Sequence, residues 1–336
     1  MRQHADFEPY LYSSPDHTST FKKLLGSSGH VSFRYHDDKP SVVIPEKKFR
    51  ITHSIGDILS GCDILINTLP INAHIPIFDG LYKELSVDNR QMKYINLSGG
   101  FVIFDHIQKQ QKRKLLSIAS AHTLPFASRA SEGSISILNR RKKTLISFSD
   151  DDLLPDIRKL EELMSTPLIN DGNHLHCAID RSSYVMHPLI TMMNYAKIER
   201  NEPFHFYRDG LTESIEKLLV ETGYERKSLC DKLGFTDFIS PEQRVKQFKE
   251  NYMEDFKNVL PPTSSQHRFF TEDIPFGLVF MCTLGTTLGI PMPLSEAIVN
   301  ITSSLCKNNF WNSPLNLSNN DSLAKTVLSF QENNEK

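Results

Sequence analysis

Cys62-Asp63-Ile64-Leu65-Ile66-Asn67-Thr68-Leu69-Pro70 decides how the first half of the chain is read. A short apolar run closed by a proline predicts a strand buried on both faces, since a one-faced strand would alternate polar and apolar residues. Working outward, the same form recurs. Ser41-Val42-Val43-Ile44 stops at Pro45, and Lys93-Tyr94-Ile95-Asn96-Leu97 stops at Ser98-Gly99-Gly100. Leu116-Ser117-Ile118-Ala119-Ser120 ends ahead of Pro125. Helical stretches lie between the runs, such as residues 55–61 with Ser54 as N-cap. Strands alternating with helices predict βαβ units around a parallel sheet. Residues 133–138 and 144–148, joined by Asn139-Arg140-Arg141-Lys142, predict a closing hairpin.

After Ser149 the period lengthens. Asp150-Asp151-Asp152 suits a helix N-terminus, and Leu153, Leu154, Ile157, Leu160 and Leu163 form one stripe behind it. Ser240-Pro241-Glu242-Gln243 is a capping box with proline at the first helical position. Val245, Phe248, Tyr252, Phe256 and Val259 continue it at helical spacing. Leu294, Ile298, Ile301 and Leu305 do the same after Pro293. The expected division is therefore residues 1–149 as an α/β domain and 150–330 as a helical one.

Composition excludes several classes. The 336 residues carry 38 Lys and Arg against 40 Asp and Glu, a net charge of −2, so no global field draws the chain to nucleic acid. Its 15 glycines and 18 prolines are about a tenth of the chain, far below the roughly 25–30% of low-complexity sequence. Cys62, Cys177, Cys230, Cys282 and Cys306 are odd in number and never spaced CxxC, which points to reduced thiols in a cytosol. Residues 276–295 are uncharged but interrupted by Gly285, Gly289, Pro291 and Pro293. They predict a buried helix ending at Gly289 and not a membrane span. A soluble cytoplasmic protein is expected.

Three stretches carry chemistry. His187-Pro188 predicts a histidine at a helix entrance, since proline favours the first helical position. Such a histidine either caps the helix or titrates into a cleft. In Arg268-Phe269-Phe270-Thr271-Glu272-Asp273-Ile274-Pro275, Pro275 again marks a helix start and Asp273 lies at its positive end. An Asp there is an N-cap, or the carboxylate that orients a catalytic histidine. Arg268 is a surface guanidinium or a fork for a substrate carboxylate. His174-Leu175-His176-Cys177 lacks a fourth ligand at any metal spacing and reads as a strand with alternating faces. No metal is expected. Lys112-Arg113-Lys114 and Arg140-Arg141-Lys142-Lys143 are short solvated turns.

Together these segments resemble the octopine/nopaline (opine) dehydrogenase family. His267-Arg268-Phe269-Phe270-Thr271-Glu272-Asp273-Ile274-Pro275-Phe276-Gly277 is similar to its Arg-x-x-Thr-Glu-Asp-Ile/Val-Pro-x-Gly pattern. Val185-Met186-His187-Pro188 resembles its His-Pro. Thr123-Leu124-Pro125-Phe126-Ala127-Ser128-Arg129 resembles a Thr-Leu-Pro-x-Ala-x-Arg strand end, and Thr68-Leu69-Pro70-Ile71-Asn72-Ala73-His74 a Pro-x-x-Ala-His turn. The resemblance spans residues 10 to 310. It implies a Rossmann-like parallel sheet domain followed by a helical substrate domain. It also implies NAD(P)H-dependent reductive condensation of an amino acid with a 2-oxo acid. By it, His187 is the acid–base residue, Asp273 its orienting carboxylate, Arg268 a holder of a substrate carboxylate, and Thr68, Leu69 and Pro70 contact NAD or NADP.

One part of the pattern is missing. The family opens with a strand running into G-x-G-x-x-G and a helix, whose N-terminus and glycines hold the pyrophosphate. Phe7-Glu8-Pro9-Tyr10-Leu11-Tyr12 already resembles the second strand, so a first strand, its loop and its helix are not found. Ser13-Ser14-Pro15 offers no immediate carboxylate for a ribose, Asp16 is a weak candidate, and NAD and NADP both stay open. Two expectations follow: an oxidoreductase whose 336 residues bind NAD(P)H poorly, or a non-catalytic amino-acid or 2-oxo-acid binding protein derived from the family. A ketopantoate-reductase-type reading needs a lysine placed in the helical half, and none stands in such a block.

Overall fold

The computed structural model describes residues 8–15, 21, 24–35, 41–88, 90–100, 115–148, 150–171, 173–235 and 239–332. Asp16, Lys112, Arg113 and Lys114 lie outside them. The described chain divides into two units. One draws on Met1–Thr68, Ile75–Leu97 and Arg113–Asn170, the other on Leu69–His74, Ser98–Lys112 and Asp171–Lys336.

The first unit runs β1 (Tyr10–Tyr12), β2 (His30–Tyr35), β3 (Val42–Pro45), β4 (Arg50–Thr52), α1 (Ile55–Gly61) and β5 (Ile64–Asn67). Helix α2 (His74–Asp88) starts in the other unit and leads to β6 (Met92–Asn96). Then come β7 (Leu116–Ala121), β8 (Phe126–Ser131), β9 (Ser134–Arg140), β10 (Thr144–Phe148), α3 (Leu154–Met164) and β11 (Leu168–Asn170). The central sheet has the order β11-β10-β7-β6-β5. Strands β5, β6 and β7 are parallel, with Ile66 opposite Ile95 and Ile95 opposite Ala119. Tyr94 and Ile95 are buried, which is why this strand carries no alternation. Ser54 caps α1 as expected, its side chain accepting from the Asp57 amide at 3.2 Å.

A separate parallel pair joins β1 to β4, with Tyr10 opposite Arg50. In the doubly wound order 3-2-1-4-5-6, β4 and β1 take the third and second places, and β5, β6 and β7 the fourth to sixth. Among the described residues β1 pairs only with β4 and β5 only with β6, and no strand occupies the first place.

Some expectations need correction. Residues 133–138 and 144–148 do not form a hairpin. β9 pairs antiparallel with β8 across Glu132-Gly133 and parallel with β2, whereas β10 pairs with β7 and β11. The tight Glu132-Gly133 turn wins over the longer basic connection. Ser41–Ile44 is not a doubly buried strand either: β3 lies at the edge of a four-stranded sheet, and Val43 is 55% exposed. The stripe on α3 joins the sheet's own core, where Leu153, Ile157 and Leu160 pack with Ile95, Ala119 and Ile146. The sequence puts the change of period at residue 150; the contacts divide at Asp171.

The second unit is helical: α4 (His174–Ile179), α5 (Ser183–Met193), α6 (Tyr195–Glu199), α7 (Glu213–Lys232), α8 (Pro241–Asn251) and α9 (Met253–Phe256). After α10 (Arg268–Thr271) a π turn at Ile274–Leu278 leads into α11 (Val279–Leu288), then α12 (Pro293–Cys306) and α13 (Asp321–Glu332). The capping box at Ser240 and Gln243 is present. The periodic run behind it breaks at Tyr252 into α8 and α9. Helix α11 ends at Gly289, whose φ of 71° is the left-handed conformation glycine adopts without a Cβ penalty. No helix of the described residues is long and apolar enough to cross a membrane. Residues 174–177 are helix and not strand. Asn173 accepts the amides of Leu175 and His176 at 2.8 and 3.2 Å, and every α4 side chain is buried, so the two-residue alternation carried no facial information.

Candidate active site

The site is built on α5 and on the α10–π-turn segment. Pro188 does not open α5 but stands inside it; the helix begins a turn earlier, where Val185 and Met186 donate to the Ser182 carbonyl at 3.2 and 3.0 Å. Proline cannot donate to the Tyr184 carbonyl, so the ladder loses one bond beside His187. His187 is therefore mid-helix, its side chain 15% exposed.

Asp273 stands where the π turn begins and is wholly buried. Its side chain makes no cap bond; Oδ2 instead lies 2.7 Å from His187 Nδ1, 86 residues away in sequence. Its other oxygen, Oδ1, has no hydrogen-bond partner among the described residues. An ionised Asp273 accepts Nδ1–H, which leaves Nε2 as the imidazole's other working nitrogen. That atom lies 2.9 Å from the Tyr207 hydroxyl. Phe269 stacks on the imidazole with centroids 4.1 Å apart, and Phe206, Phe248 and Phe256 hold the Tyr207 ring. The ring is thus fixed at both nitrogens and on one face.

Arg268 is 52% exposed, and its Nε lies 3.5 Å from Glu272 Oε2. Its remaining guanidinium nitrogens are compatible with a carboxylate from solvent. The guanidinium buried beside the dyad is Arg181, ahead of α5. Burial opposes its charge, yet Tyr184, Asp273 and Glu272 together raise its pKa. Burial pushes the Tyr184 phenol up to about 12. Sequence reading missed Arg181, Glu272 as an actor, and Tyr207. Glu272 was legible as the neighbour of Asp273; Arg181 and Tyr207 carry no local signal.

Thr68, Leu69 and Pro70 follow the carboxyl end of β5, exposed, half-buried and exposed in turn. A buried neutral histidine organises this turn. His74 Nε2 lies 3.0 Å from the Leu69 carbonyl and 2.9 Å from Ser98 Oγ, and burial lowers its pKa to about 4. Ligands of open α/β sheets bind outside the carboxyl ends of parallel strands, the position these residues hold. His174 and His176, weighed as metal ligands, are buried on α4, with His176 Nδ1 on Asp171 at 2.8 Å. Among the described residues no cluster of His, Cys, Asp and Glu could hold a metal ion.

Residues 170–306 match the family model described as NAD/NADP octopine/nopaline dehydrogenase, alpha-helical domain. The opine dehydrogenase of Arthrobacter sp. (strain 1C) is 23% identical over 278 residues, 77% of this chain and 75% of its own length. Octopine dehydrogenase, solved with NADH and L-arginine, superposes with a TM-score of 0.67 at 18% identity, covering 85% of this chain and 80% of its own. Yersinopine dehydrogenase with bound NADP+ gives 0.70 at 12% identity, with 96% and 92% covered. These superpositions establish the fold as a Rossmann-like sheet with a helical C-terminal domain. Over residues 170–306, the stretch that carries His187 and Asp273, the chain is thus similar to the helical domain of the octopine/nopaline dehydrogenase family.

Proposed function

We propose that this chain is an opine-dehydrogenase-type oxidoreductase, acting with NAD or NADP in the reductive condensation of an amino acid with a 2-oxo acid such as pyruvate. One observation carries the reading: the Asp273–His187–Tyr207 chain, at 2.7 and 2.9 Å with Asp273 wholly buried, and the half-exposed Arg268 on the segment just ahead of Asp273. Condensing an ammonium group with a carbonyl removes two protons from nitrogen and delivers two to the oxygen, which departs as water and leaves an iminium for the nucleotide's hydride to reduce. A single imidazole held by a carboxylate serves both steps. In this reading His187 Nε2 exchanges those protons, Asp273 holds the ring and balances imidazolium, and Arg268 anchors a substrate carboxylate. Thr68, Leu69 and Pro70 would border the nicotinamide end.

The residues present do not fit the whole dinucleotide. No G-x-G-x-x-G run occurs in the 336 residues, and the first-strand place between β1 and β5 holds no described strand. Among the described residues no such backbone cradle with its helix N-terminus stands ready for a pyrophosphate. This chain by itself is expected to bind NADH and NADPH only weakly. Fluorescence titration checks it, and a dissociation constant in the low micromolar range contradicts it.

That mismatch also favours a second reading, a non-catalytic binder of amino acids or 2-oxo acids. Thermal shift with pyruvate and a panel of amino acids decides between them. At about a hundred times its dissociation constant a ligand adds roughly 2.7 kcal/mol of stability. Stabilisation by an amino acid with no further effect of nicotinamide nucleotide supports the binder. Stabilisation by neither substrate class removes both readings. We place the protein in the cytosol, since all five cysteines are free thiols.

A further inference from the structure

Two segments of the second unit follow parallel strands: Leu69–His74 after β5 and the segment from Ser98 after β6. They are tied together by His74, which reaches the Leu69 carbonyl and the Ser98 hydroxyl. Each is also tied to the elements of the dyad. The Ser98 carbonyl accepts from Arg181 Nη1 at 2.9 Å, six residues ahead of His187. The Ile71 amide donates to Glu272 Oε1 at 3.5 Å, one residue ahead of Asp273. Arg181 Nη2 and Glu272 Oε1 then face each other at 3.9 Å, which closes the ring of contacts. Glu272 also meets Arg268. Glu272 is 3% exposed and the Arg181 side chain 11%, so neither charge is there for solubility. Buried charges are retained where each is paired and hydrogen-bonded, and removing one partner leaves the other stranded.

We propose that Glu272 and Arg181 are positioning residues for the acid–base site: together they hold the turn after β5, the segment after β6 and the Arg268 guanidinium in one arrangement around His187 and Asp273. Neither exchanges a proton with substrate. They act through Arg268, which Glu272 orients, and through the Leu69–Ile71 turn, which Glu272 and His74 fix. The inference rests on the function proposed above for its substrate arm and on geometry alone for its structural arm.

The test uses the full 336-residue chain with Glu272→Ala, Glu272→Gln and Arg181→Lys, read by single-amide hydrogen exchange and by calorimetric titration of pyruvate. Glu272→Ala should speed exchange of the Ile71 amide at least about tenfold and weaken pyruvate by a similar factor, while amides in α11 stay as in wild type. Glu272→Gln keeps an acceptor of the same shape, so Ile71 should exchange within about threefold of wild type, a rescue that a general loss of stability does not produce. Unchanged Ile71 exchange in the Ala variant overturns the proposal, as does equal acceleration throughout α11. If the Ala variant does not fold, Arg181→Lys decides. Loss of the guanidinium fork should speed exchange at Gly99 and Gly100 with α11 unchanged, and no change there overturns the proposal. A wild-type chain that binds no pyruvate refutes the proposed function, and the exchange comparison then judges the clasp by itself.

Discussion

His187→Ala is expected to lower turnover at least about a hundredfold, and Asp273→Asn by a comparable factor. Turnover needs a held nucleotide, so both variants belong in a chimera that carries a strand–G-x-G-x-x-G–helix segment ahead of β1. The size of the effect follows from geometry. Nε2, which meets the Tyr207 hydroxyl at 2.9 Å, is the imidazole nitrogen through which a proton can be exchanged, because Nδ1 is committed to Asp273 at 2.7 Å. Deleting the ring removes the positioned acid and base together, and general acid–base catalysis is worth roughly 10²–10⁴-fold. Asp273→Asn leaves the shape but offers Nδ1 an amide, which no longer dictates the tautomer or balances imidazolium. Pyruvate affinity, which the proposed function assigns to Arg268, should change little in either variant. Near-normal turnover in His187→Ala rules out its acid–base role, whatever the other residues do.

What could be read from the sequence divides along a physical line. Local chemistry was legible: the Ser54 cap, the Ser240–Gln243 box and the Gly289 stop each depend on a few adjacent residues, and each is present. Signals that rest on proline alone were legible in part. Pro275 stands at the start of the π turn that opens α11, with Asp273 at the N-cap as expected, whereas Pro188 sits inside α5. The difference lies in tertiary packing, which tolerates a lost ladder bond beside His187. Fully buried segments also mislead, since α4 has no polar face to set its period. The meeting of His187 with Asp273 came from family resemblance and from no spacing, because 86 residues separate them. Arg181, Ser98 and Ile71 meet Glu272 or one another across comparable distances in the chain, and nothing local announces that.

Gly277→Ala is expected to be a severely damaging single-methyl change, costing about 3 kcal/mol or more. Gly277 ends the Arg-x-x-Thr-Glu-Asp-Ile-Pro-x-Gly block and lies in the π turn. A Cβ built there would stand 2.2 Å from Tyr184 Cγ, 2.3 Å from Cδ1 and 2.7 Å from Cβ. The collision is with the root of the side chain and not its tip, so no rotamer of Tyr184 clears it. The ring cannot retreat, because Tyr184 is 0% exposed and its hydroxyl contacts Arg181 at 3.5 Å. Either α5 moves away from the π turn, carrying His187 off Asp273, or the turn unwinds. Thermal unfolding should show the midpoint fall by roughly 5–10 °C, given 2–4 °C per kcal/mol for chains somewhat shorter than this one. Gly133→Ala is the control. Its φ of 67° makes an added Cβ strained, but nothing lies within 4 Å, so its cost should stay near the roughly 1–2 kcal/mol of left-handed backbone. If Gly277→Ala melts within a degree or two of wild type and Gly133→Ala costs more, Tyr184 does not pack on the π turn. In that case α5 and the Asp273 segment are not held at the distance that the 2.7 Å bond requires.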